Sequence, residues 1–82
     1  MVYLVSAFEI EVQPVDGVGP DGNDQVSLEF RATDGAGRTL WFAIFRGEDE
    51  SADVAQLTID PQSRAIPLAV VEWAVGFART HL

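Results

Sequence analysis

Between residues 25 and 46 polar and apolar side chains first alternate and then stop alternating. Val26, Leu28, Phe30 and Ala32 are interleaved with Ser27, Glu29, Arg31 and Thr33, the period of a strand buried on one face. After Asp34-Gly35-Ala36-Gly37-Arg38 the chain returns with Leu40, Phe42 and Ile44 on one parity and Trp41, Ala43 and Phe45 on the other. The return strand is therefore apolar on both faces. Its register follows from the turn. A three-residue loop, a type I turn followed by Gly37 in the left-handed region, forms a G1 bulge and pairs Asp34 with Arg38. Ala32 then faces Leu40, Phe30 faces Phe42 and Leu28 faces Ile44, one continuous apolar surface. A two-residue loop would set the same side chains against Thr39, Trp41 and Ala43, a poorer match. The reverse surface carries Arg31 beside Trp41, Glu29 beside Ala43 and Ser27 beside Phe45. Arg31 is placed to stack on the indole, a cation–π pair worth about 0.5–1 kcal/mol when exposed.

Residues 2–13 predict another strand, with Leu4, Ser6, Phe8, Ile10 and Val12 on one face and Tyr3, Val5, Ala7, Glu9, Glu11 and Gln13 on the other. Residues 14–24 are dense in Pro, Gly, Asp and Asn and predict a mobile loop. Residues 47–53 form an acidic connection. Residues 54–60 predict a strand with Ala55, Leu57 and Ile59 inward; a short helix over residues 51–57 is the competing assignment. Residues 67–82 predict a helix, with Pro67 suited to its first position. Leu68, Val71, Val75 and Ala78 recur at helical spacing, as do Val70, Trp73, Ala74 and Phe77. Only Glu72, Gly76, Arg79 and Thr80 make a polar stripe, narrower than a surface helix needs.

The order β-β-β-β-α defines a single α+β domain over residues 1–82: an antiparallel sheet of about four strands with one C-terminal helix packed on one face. One helix covers one face. The other face is expected to retain Tyr3, Val5, Trp41 and Phe45, with Val54 joining them, an aromatic-rich patch of the composition that interface cores favour.

Charge narrows the choice of partner. The 82 residues carry 13 acidic side chains against five arginines and no lysine, a net charge of −8. This balance disfavours direct binding to nucleic acid and to anionic membranes. It suits a basic protein partner, or simply solubility. With no cysteine, disulfides and thiolate metal sites are excluded. The first residues lack a basic segment and reach Glu9 early, unlike a signal peptide, and no apolar run approaches the ~20 residues that span a bilayer. The default expectation is a cytoplasmic location.

Candidate chemistry is sparse. His81, the lone histidine, falls in the last helical turn, where a cation suits the helix dipole better than a general base suits the chain end. No serine stands in a nucleophile-elbow context. Glu9, Glu11 and Glu29 share a sheet face, but in a domain this small they read as a solvated face with Arg31 as counter-charge. Residues 16–24 resemble a calcium loop only superficially, lacking the ligand spacing and the terminal glutamate. No cofactor, metal or catalytic set is assigned. Glu48, Asp49, Glu50 and Asp53 could mimic a run of phosphates, although most such runs are solvated loops.

The expectation is a small non-enzymatic interaction module using Tyr3, Val5, Arg31, Trp41, Phe45, Glu48, Asp49, Glu50 and Asp53, together with the outer side of the helix. Its partner is a second copy in a homodimer, or another protein, such as a basic nucleic-acid-binding one that it blocks as small acidic inhibitors do. The alternative is a small-molecule pocket between sheet and helix, lined by Phe30, Phe42, Trp73 and Phe77.

Overall fold

The computed structural model describes residues 1–19 and 22–82. Among them, five strands form one antiparallel meander in the order of the chain: β1 (Val2–Val5), β2 (Phe8–Val18), β3 (Asp24–Asp34), β4 (Thr39–Gly47) and β5 (Gln56–Ile59). A 3-10 turn over Ala52–Val54 precedes β5, and the helix α1 spans Leu68–His81. The α+β class, the antiparallel sheet and the single C-terminal helix agree with the sequence. The β3–β4 hairpin also has the expected register, with Phe30 opposite Phe42 and Arg31 opposite Trp41. Gly37 turns it at φ 85°, and the Asp34 carboxylate accepts the N–H groups of Ala36 and Arg38, both at 2.9 Å.

Two expectations about the strands are corrected. Residues 2–13 are not one strand but a hairpin, turning at Ser6 and Ala7, with Ser6 at φ 55°. Such a loop places odd-numbered residues of β1 opposite even-numbered ones of β2, so Tyr3 faces Ile10 and Val5 faces Phe8. Tyr3 and Val5 therefore lie on the helix-covered face, not beside Trp41 and Phe45. Residues 14–24 are not all loop either: β2 runs on to Val18 and β3 begins at Asp24, while Pro20 and Asp21 lie outside the described residues. The Val12 N–H donates to the Met1 carbonyl at 3.0 Å, so Pro14, two residues on, turns its missing donor toward an open edge. No ladder bond is lost there.

The core lies between sheet and helix. Ile10, Phe30, Ala32, Leu40 and Phe42 from three strands meet Val70, Ala74 and Ala78 of α1, which recur every four residues on one helix face. Pro67 is the N-cap rather than the first helical residue. Trp73 and Phe77 lean toward β1, where Tyr3 meets them with ring centroids 5.1 and 5.2 Å apart. The folded-back β1 thus takes up much of the helix's surplus apolar surface. Leu68 and Val75 stay exposed. Arg46 fastens the far end of α1: its Nε donates to the Leu82 carbonyl at 2.9 Å, and its Nη1 to those of Gly47 and Glu48. Cationic donors at a helix C-terminus satisfy carbonyls that have no partner within the helix.

Candidate functional site

No element among the described residues lies over the second face of the sheet. The registers place on it Val2 and Leu4 of β1, Glu9, Glu11 and Gln13 of β2, Glu29 and Arg31 of β3, Trp41, Ala43 and Phe45 of β4, and Thr58 of β5. Trp41 is 47 % exposed, whereas Ala43 and Phe45 are half-buried.

The backbone of Trp41 is locked from the edge that β5 leaves uncovered. Its carbonyl accepts the Asp60 N–H at 3.0 Å, and its N–H donates to the Ser63 Oγ at 2.8 Å. Ser63 is buried, and its own N–H closes the turn on the Asp60 carbonyl at 2.8 Å. The indole is held in place from β3: the Arg31 guanidinium lies 5.7 Å from the ring centroid and pairs with Glu11 across the β2–β3 ladder. Both pairings expected of Arg31 are thus present. In solvent each is worth at most about 1 kcal/mol, so they orient more than they stabilise.

Trp41 stands between two hollows. One, of about 320 Å³, is lined by Glu29, Trp41, Ala43, Thr58, Ile59, Asp60 and Pro61, among others. The other, of about 90 Å³, is lined by Glu11, Gln13, Glu29, Phe30, Arg31 and Trp41. Glu29 borders both. An indole flanked by Glu29 and Asp60, with Arg31 and Glu11 neutralising one another beside it, leaves net negative charge facing outward. That is the chemistry of a receptor for a cation.

Farther along β4, Phe45 and the exposed Val54 share a hollow of about 390 Å³ with Asp24, Gln25, Gly47 and Glu50. Glu48, Asp49 and Glu50 lie at this corner of the sheet, where the Glu48 N–H reaches the Asp24 carbonyl at 3.0 Å. The run is partly used at home, because the Glu50 carboxylate accepts the Gly47 N–H at 2.9 Å. Asp53 lies apart, 3.3 Å from Arg79 of α1. Of the expected binding residues, then, Arg31, Trp41 and Phe45 share the bare face, and Glu48, Asp49 and Glu50 border it. Tyr3, Val5 and Asp53 do not lie on it. Sequence reasoning missed Val2 and Leu4, which the hidden turn at Ser6 brings there, and Asp60. The Asp60-Pro61 pair was the available signal for the latter.

The remaining candidates occupy ordinary structural positions. Phe30 and Phe42 stack at 4.8 Å, and Phe30 meets both Trp73 and Phe77 edge-on at 6.3 Å. These four rings pack on one another. His81 stacks on Phe77 at 3.9 Å, with Nδ1 2.8 Å from the Phe77 carbonyl. Among the described residues no cluster of His, Asp or Glu converges to hold a metal ion, and no helix is long and apolar enough to cross a membrane. Comparison with protein-family models, with curated proteins and with solved structures finds no match.

Proposed function

We propose that this domain is a non-enzymatic interaction module that docks a basic segment of a partner protein on the bare face of its sheet, around Trp41. The observation that carries this reading is an indole 47 % exposed on the sheet face that no described element covers, between two hollows bordered by Glu11, Glu29 and Asp60. Tryptophan is among the residues that most often dominate interface energies. The surrounding carboxylates and the net charge of −8 steer a cationic partner and repel an anionic one. A nucleic-acid-binding protein, with its basic groove, is the partner class that this charge suits. Burying the same face against a second copy would oppose Glu9, Glu11 and Glu29 to their equivalents, so a heterologous partner is favoured there.

An arginine-rich peptide serves as probe in an NMR titration of the labelled domain. Shifts should centre on the Trp41 indole N–H, Glu29 and Arg31. Trp41→Arg should weaken binding at least tenfold, about 1.4 kcal/mol, with the fold intact. Asp49→Asn should change it less than about twofold, as expected for a solvated charge. Shifts centred on residues 48–50, with Trp41→Arg without effect, would make the acidic corner the binding site and overturn this reading. Unfolding of Trp41→Arg would overturn it too, by showing that the indole belongs to the core.

A further inference from the structure

Apart from the β4 stretch at Trp41, which the turn at residues 60–63 occupies, the described sheet has open edge on β1, β2 and β5, and the three are not alike. On β2 the open stretch beyond β1 contains Pro14, which has no N–H, and Asp16. The β5 edge is four residues long and bracketed by Asp53 on one side and Asp60-Pro61 on the other. Prolines, charges and short length are the usual guards against pairing with another chain. The β1 edge has none of the chemical ones. From Met1 to Phe8 there is no charged side chain and no proline. The Met1 carbonyl accepts from Val12, so alternation turns the N–H and C=O of Val2 and Leu4 outward. Their side chains are 55 % and 84 % exposed, Leu4 being the most exposed large apolar residue described.

We infer that β1 is the self-association edge of this protein: two copies join β1 to β1, antiparallel about a twofold axis at Tyr3, and extend the sheet across both. The edge is its own complement. With Tyr3 opposite Tyr3, Val2 of one copy lies opposite Leu4 of the other, and each of the two symmetry-related pairs exchanges two hydrogen bonds. On the bare face, Val2 and Leu4 then cover one another, and no charged side chain of β1 meets a like charge. The nearest carboxylates, Glu9 and Glu11, lie one strand back in each copy. They end up three strand spacings apart, roughly 14 Å, beyond the ~8 Å screening length of physiological salt. A second copy therefore fits at this edge, whereas the face around Trp41 repels one. Four-residue strands bury less than the ~1,200 Å² of stable interfaces, so the dimer is a weak one, and salt strengthens it by screening the net charge of −8 on each copy. The inference does not depend on the function proposed for Trp41.

Sedimentation equilibrium up to about 1 mM, the range of weak association, should show mass rising toward twice that of the chain, more so at about 0.5 M than 0.05 M salt. Over the same concentrations the outward amide of Leu4 should gain protection from hydrogen exchange, while the Trp41 indole keeps its shift. Leu4→Pro removes that donor without breaking a bond to β2 and should weaken association at least tenfold. Leu4→Lys, a substitution at an exposed position, should do the same and covers the case in which the proline variant misfolds. A chain that stays monomeric throughout overturns the inference. So does a dimer that Leu4→Lys leaves unchanged, or one whose Leu4 amide stays unprotected.

Discussion

Trp41 and Phe42 are neighbours in β4, share its backbone, and behave as residues of two different proteins. Phe42 is 4 % exposed, stacked on Phe30 under the helix; Trp41 is 47 % exposed, between two hollows on a face that no described element covers. Strand geometry alone sends them apart, since successive side chains point to opposite faces. What differs is the second layer. On one side α1 supplies Val70, Ala74 and Ala78 to fill the space above the sheet; on the other, the indole is met by the Arg31 guanidinium among charged side chains. Apolar character is therefore a poor guide to role here, and the covering element decides it.

Truncating the two rings breaks this comparison most directly. Phe42→Ala should cost about 3–5 kcal/mol, the transfer term plus a cavity. A domain of this size has on the order of 4–12 kcal/mol in all, so much of its stability goes. Trp41→Ala should cost less, about 1–2 kcal/mol, because about half of the residue already meets solvent and no closed cavity is left behind. Urea unfolding of both variants measures the gap. Equal losses would mean that the second face is core and that the interaction reading fails.

A smaller effect tests how the bare face is held in register. The buried Ser63 Oγ accepts the Trp41 N–H at 2.8 Å. Ser63→Ala leaves that donor without a partner beside the strand, and should cost about 1–2 kcal/mol. It should also weaken binding of the basic probe, since Trp41 loses one of its two edge anchors. Stability lost with probe affinity unchanged would show that the turn at residues 60–63 supports the fold but does not position the indole.

The β3–β4 hairpin was readable because two independent signals agree, Gly37 where a positive φ is needed and the matched apolar ladder on one register only. Trp41 with Arg31 and Glu29 followed from that register. The β1–β2 hairpin carried no such signal. Its turn residues are Ser6 and Ala7, a lone serine with no glycine, proline or asparagine beside it, and the alternation Leu4, Ser6, Phe8, Ile10, Val12 runs through the bend unbroken. A two-residue turn reverses the parity of everything before it, so one missed turn moved Tyr3 and Val5 to the wrong face and hid Val2 and Leu4. The symptom was visible elsewhere: Trp73 and Phe77 gave the helix more apolar surface than a four-stranded sheet explains, and Tyr3 is what they pack on. Composition alone points to a loop over residues 14–18, but an edge proline costs a strand nothing when its nitrogen faces outward.

The same turn offers the subtlest test of how residues are sorted between the two faces. Ser6 holds φ 55° without being glycine. A left-handed backbone costs an ordinary residue about 1–2 kcal/mol, while glycine's extra freedom in the unfolded chain costs about 0.5–1 kcal/mol. The two terms oppose each other, and the strain is the larger. Ser6→Gly should therefore stabilise the domain by about 0.5 kcal/mol, seen as a higher urea midpoint at unchanged slope. It should also leave Tyr3 packed on Trp73 and Leu4 exposed, because glycine relaxes the bend without changing its length. A lowered midpoint would mean that the serine is not strained where it sits, and that the β1 register draws its support from the Tyr3–Trp73–Phe77 cluster alone.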